Sequence, residues 1–134
     1  MTRALLLLAA ALVLTGGARA AGGRVVVIDP GHDARANLAT EPIGPGSTTR
    51  KIKDGGGTHG VVTGIREPEL TLDVSLRLRR LLRAAGVRVV MTRTSTSGPS
   101  MGNVARARIA NASGAALFSG GTSFFCASGW AGFS

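Results

Sequence analysis

The stretch that decides the fold is VVVIDPGHD, residues 25–33. Val25, Val26, Val27 and Ile28 form a short, wholly β-branched apolar run, which suits a strand buried on both faces in a parallel sheet. Asp29, Pro30 and Gly31 then close it, because proline brings no N–H to a ladder and glycine accepts turn geometry. His32 follows three residues beyond that end. In open α/β sheets, sites form outside the carboxyl ends of the strands. From position alone the imidazole can hold a metal, act as an acid or base, or simply hydrogen-bond a loop.

Working outward, residues 34–64 are rich in Gly, Pro, Thr and Ser, with EPIGPGS and KDGGGTHG giving turns and no period. They read as one long irregular loop, a feature that compact domains use for function or leave disordered. Glu67 and Pro68 open a helix in which Leu70, Val74, Leu78, Leu81, Leu82 and Ala85 share one face. Arg77, Arg80 and Arg83 form its solvated side, and Gly86 is placed to end it. VRVVMTR, residues 87–93, is the next strand. Met101, Val104, Ala105, Ile109 and Ala112 mark a weaker helix, and AALF, residues 115–118, a third strand. This alternation predicts an α/β fold, a mostly parallel sheet with flanking helices joined by right-handed crossovers.

The opening MTRALLLLAAALVLTGGARA has a basic residue, an apolar run and an Ala-Arg-Ala ending, so residues 1–20 read as a signal peptide. The apolar run is too short for a membrane span, and no stable membrane anchor is expected. Export to the periplasm or the extracellular cell wall follows. What remains of the 134 residues suffices for one small domain. Arg3 and Arg19 contribute to the formal net charge of +9, and the rest of the excess is spread along the chain, which favours anionic polymers as partners. Nucleic acid is disfavoured by export and by the absence of tyrosine. The single cysteine, Cys126, cannot form an internal disulfide.

A second chemical group is needed beside His32, and Glu67 supplies it. Glutamate is a poor capping residue, yet its charge suits a helix N-terminus. If the helix packs back on the first strand, His32 and Glu67 share one pocket, where an imidazole nitrogen and a carboxylate suit zinc.

The blocks IDPGHD, EPIGPGS, GGGTHGVVTG, EPELTLDVSLRLRRLL, AAGVRVVMTRT and RARIANASGAALF, taken in order, resemble the zinc-dependent N-acetylmuramoyl-L-alanine amidases of the amidase-3 type. The resemblance implies a peptidoglycan substrate, a Zn2+ cofactor, and His32 and Glu67 as zinc ligands, with Glu69 the rival for the second role. It implies cleavage of the amide between N-acetylmuramic acid and L-alanine of the stem peptide. Arg106 and Asn111 match an R-x-x-IAN block expected to support the fold. Asp29 and Asp33 flank His32; Asp29 is expected to be structural, with a contact to the imidazole as the alternative.

After the AALF strand the family continues with a segment whose histidine is the third zinc ligand, and later with a glutamate as general base. Here the chain reads SGGTSFFCASGWAGFS, without a counterpart to either. The expectation is a partial copy of the amidase fold: residues 21–118 the N-terminal part of the catalytic domain, residues 119–134 an irregular, frameshifted tail. No catalytic residue is assigned. His59 is expected to be a loop residue and Cys126 a free thiol. The alternatives to a monomeric hydrolase are a catalytically inactive cell-wall-binding module and a non-functional fragment.

Overall fold

The computed structural model describes residues 23–120 and the backbone of one further strand, Ser123–Cys126. Residues 1–22, 121–122 and 127–134 lie outside the described residues, and with them the signal peptide expected over residues 1–20. The elements run β1 (Val25–Asp29), β2 (Asn37–Pro42), β3 (Arg50–Asp54), α1 (Glu67–Ala84), β4 (Arg88–Met91), α2 (Asn103–Ala112), β5 (Ala115–Gly120) and β6 (Ser123–Cys126). Among them no helix is long and apolar enough to cross a membrane.

β1 takes the central place its composition predicts. The main sheet has the order β4-β1-β5-β6, with β1 parallel to both neighbours and β6 antiparallel to β5. Val25, Val27 and Ile28 are essentially inaccessible to water. The crossover from β1 to β4 runs one way along the sheet and that from β4 to β5 runs the other. Right-handedness therefore sends α1 and α2 to opposite faces. The reversal lies beside β1, which opens a crevice at its carboxyl end.

Three sequence expectations need correction. Residues 34–64 are not wholly irregular: β2 and β3 form an antiparallel hairpin, with Thr40 opposite Ile52 and Glu41 opposite Lys51. It forms a two-stranded sheet of its own whose Leu38, Ile43 and Ile52 are exposed, so the apolar alternation of a half-buried strand is missing. The tail is likewise not irregular at its start, since β5 runs on to Gly120 and β6 pairs back onto it.

The helix faces are also rotated from the expected ones. α1 buries Pro68, Leu72 and Ser75, while Leu70, Val74 and Leu81 are more than half exposed. α2 buries Arg106, Ala107 and Ala110. Leucines lie all round α1, so its pattern does not single out one stripe. Close helix–sheet contact also selects small residues such as Ser75, Ala107 and Ala110, which hydrophobicity alone undervalues. Gly86 ends α1 as expected, at φ +77°.

α2 begins without a capping side chain of its own. The hairpin supplies one. The buried Glu41 carboxylate accepts the N–H groups of Asn103 at 2.6 Å and Val104 at 3.2 Å, and Lys51 Nζ at 2.9 Å. Glycine at 102 is required because any Cβ there would collide with that carboxylate. Burial works to raise the Glu41 pKa; the Lys51 ammonium and the two amides outweigh it and hold it below the ordinary value.

Beneath the crevice lies a buried ionic cluster. Arg106 pairs with Asp29 through Nη1 and with Asp33 through Nη2 at 3.0 Å. Thr92 Oγ1 donates to Asp29 at 2.6 Å and the Met101 N–H to Asp33 at 2.8 Å. Arg106 thus supports the fold, as its sequence block implies, and Asp29 is structural. Truncating Arg106 would leave two buried carboxylates short of a partner, so Arg106→Ala should destabilise the chain by about 3–5 kcal/mol. Chemical unfolding monitored by circular dichroism checks this, and a loss below about 1 kcal/mol would refute the buried-pair account.

Candidate metal centre

His32 follows Gly31, whose φ of +74° turns the chain off the sheet. Its backbone is then gripped by Arg93, just past β4, whose Nη2 donates to the His32 carbonyl at 2.7 Å and to the Pro68 carbonyl at 2.8 Å. One guanidinium therefore joins the loop carrying His32 to the first turn of α1.

Glu67 is placed by a tight loop folded on itself. Gly60 N–H donates to the Ile65 carbonyl at 2.9 Å, His59 and Arg66 form an antiparallel bridge, and Glu67 N–H donates to the Thr58 carbonyl at 2.8 Å. Thr58 N–H in turn donates to Glu67 Oε2 at 3.0 Å, which leaves Oε1 facing His32. Gly57, at φ +72°, permits this approach: a Cβ there would lie 3.1 Å from Glu67 Oε2 and 3.2 Å from His32 Cβ.

The structure brings His32 and Glu67 together, with Nε2 3.9 Å from Oε1. Glu69 is elsewhere, exposed on α1 and 3.7 Å from Arg66 Nη1. His59 is exposed in its loop.

The partner behind the imidazole is neither flanking aspartate. It is Asp54, at the end of β3, whose Oδ1 lies 2.6 Å from His32 Nδ1. Asp54 also accepts the Asp33 N–H at 2.8 Å, the Gly56 N–H at 2.9 Å and the Ser100 hydroxyl at 3.0 Å. Burial works to raise its pKa, but the Asp33 amide, the His32 imidazole, the Gly56 amide and the Ser100 hydroxyl together bring it down to about 2.

An ionised carboxylate can only accept, so Nδ1 carries the proton and Nε2 presents its lone pair. That lone pair faces another acceptor, Glu67 Oε1. Two acceptors facing each other at that separation are a donor pair suited to a metal ion. Zinc would hold such donors about 2.0–2.2 Å from itself, a geometry that a few tenths of an ångström of closure here would meet. The carboxylate on the far ring nitrogen is the usual support for a metal-binding histidine. The donor set therefore fits zinc. Among the described residues no third histidine, cysteine or acid completes a cluster around it.

A carboxylate-backed histidine at a buried-strand terminus thus faces a helix-opening glutamate at the carboxyl edge of an α/β sheet, the edge at which proteins of this fold class place their sites. The sequence profile of the N-acetylmuramoyl-L-alanine amidase family matches residues 26–119. The chain belongs to that family. Its fold is similar to the crystal structure of the N-acetylmuramyl-L-alanine amidase of Mycobacterium smegmatis, with a TM-score of 0.67 and 29% identity, covering 75% of this chain and 47% of that one. The apo form of the Mycobacterium abscessus amidase gives the same score and identity, covering 74% and 47%. The chain thus spans about half the length of these solved relatives. No curated protein matches it.

The depressed Asp54 pKa carries a stability consequence. The folded value of about 2 lies below the ordinary value of 3.8, so the contribution is complete above pH ~5 and fades as pH falls through 4 toward 2. Its size is about 2 kcal/mol. The stability difference between the native chain and Asp54→Asn, measured by urea unfolding, should shrink by that amount between pH 6 and pH 2. A difference independent of pH would contradict the assignment.

Proposed function

We propose that the chain acts on peptidoglycan as a zinc amidase of the family it belongs to, at the amide between N-acetylmuramic acid and L-alanine, with His32 and Glu67 holding the metal. The observation that carries this is the His32–Glu67 pair, oriented from behind by Asp54 and Thr58. Zinc in that position supplies Lewis acidity to the scissile carbonyl and to water. Asp54 keeps the imidazole in the tautomer that leaves Nε2 open, and Thr58 N–H fixes Glu67 so that Oε1 points inward. With side chains 43% and 26% exposed, His32 and Glu67 remain open to a polymer approaching from solvent. No described residue is assigned the transfer of the proton to the leaving amine. Export to the wall, with residues 1–20 as leader, and action as a monomer belong to the same proposal.

One observation favours a second reading. With only two ligand side chains gathered among the described residues, the chain would bind the wall without turning it over.

Equilibrium dialysis with metal analysis should find about one zinc per chain at micromolar metal. His32→Ala and Glu67→Ala should abolish that binding, Asp54→Ala should weaken it about 10–100-fold, and Glu69→Gln should leave it unchanged. No zinc bound under these conditions would remove the metal reading. With purified peptidoglycan, release of L-alanine amino termini that vanishes in His32→Ala supports hydrolysis. Co-sedimentation without release supports the wall-binding module.

A further inference from the structure

A cavity of about 420 Å3 adjoins His32, between β3 and the start of α2, with Lys51, Lys53, Asp54, Asn103 and Arg106 among its lining residues. Nearly every charge around it is matched. Asp29 is held by Arg106 and Thr92, Asp54 by His32, two amides and Ser100, and Lys51 by Glu41. Lys53 is different.

Strand alternation puts Lys53 on the side of β3 that carries Lys51, whose Nζ reaches Glu41 2.9 Å away. Lys53 is half-buried, and among the described residues its ammonium makes no hydrogen bond or ion pair. The side-chain amide of Asn103, across the cavity, is likewise without a partner there. A partly desolvated cation with no counter-charge is a standing attraction for an anion.

We propose that this cavity is a subsite for a peptide carboxylate, with Lys53 as the residue that determines the preference. The inference rests on the amidase reading, which places the scissile amide at His32 and Glu67. An anion held next to that pair then belongs to the same substrate. In the stem peptide the residue after L-alanine is a glutamyl unit joined through its side-chain carboxyl, so its α-carboxyl is either free or amidated. Lys53 distinguishes the two: the free acid gains a charge-assisted contact that the amide cannot make. The lining therefore selects walls with non-amidated stems.

The test is a calorimetric titration of the purified chain, without added metal, with N-acetylmuramoyl-L-alanyl-D-isoglutamate and with its isoglutamine amide. The free acid should bind about tenfold more tightly. Lys53→Met should erase that preference and Lys53→Arg should keep it. Equal binding of acid and amide by the native chain, or a preference that survives Lys53→Met, overturns the subsite and leaves the amidase reading standing. Binding of neither ligand also overturns the subsite, while the amidase reading falls only if zinc binding and release of L-alanine termini fail as well. Lys53→Met removes no internal hydrogen bond, and Lys53→Gln provides a second neutral variant should the first unfold.

Discussion

A buried guanidinium holds the two candidate ligands in register. Arg93 donates to the carbonyls of His32 and Pro68, the first a candidate ligand and the second the residue after the other candidate. It also reaches the Gly31 carbonyl at 3.3 Å and lies 3.5 Å from Asp33 Oδ1. Two segments separated by more than thirty residues of chain are therefore tied through backbone atoms, while their side chains stay free for chemistry. A planar fork with five donors can satisfy several carbonyls at once, which a lysine cannot. Burial and the neighbouring Arg106 work against Arg93's charge, while Asp33, Asp29 and Asp54 support it; the balance lowers its pKa from the ordinary value. The guanidinium stays protonated because its normal pKa is so high.

The same logic explains the remaining buried ions. Asp29 ends β1, Asp33 follows His32, and Arg106 comes from α2, so their cluster locks the strand end, the ligand loop and a helix together. Buried pairs of this kind are poor sources of net stability compared with apolar packing. Their directionality specifies one arrangement, though, and the apolar core here is small: Val27, Ala110 and Phe118 form its central cluster. Position is what a metal centre needs from its scaffold. Ionic contacts at the carboxyl ends of the strands deliver it where valines cannot.

Much of this was legible in the residues. The β-branched run ending in Asp-Pro-Gly fixed β1 as central, and the alternation of strands and helices fixed the parallel topology, because both depend on local pattern. The nearness of His32 and Glu67 was legible for the same reason, each standing at the end of a recognisable element. Asp54 was not. It comes from a hairpin whose strands lack an apolar face, and its contact with His32 spans twenty-two positions with no periodic signal between them. The only trace was an acid placed directly before three glycines, of which Gly56 donates to it and Gly57 clears the space between the ligands. The burial of α1 and α2 escaped for another reason: Leu70, Val74 and Leu81 are as apolar as Leu72, and only the sheet decides which side it accepts.

The centre is rigid behind and open in front, and that asymmetry follows from where its hydrogen bonds lie. Behind the imidazole, Asp54 is saturated by an amide on each side, a hydroxyl and the ring itself, so the ring cannot turn without breaking a bond to a buried carboxylate. In front, Nε2 and Glu67 Oε1 face one another with no donor between them. The fold thus supplies a fixed pair of facing oxygen and nitrogen atoms, and the hairpin that provides Asp54 also walls the adjoining cavity with Lys53. Orientation of the ligand and selection of what lies beside it come from a single strand, β3, so a change in the hairpin's register would alter both together.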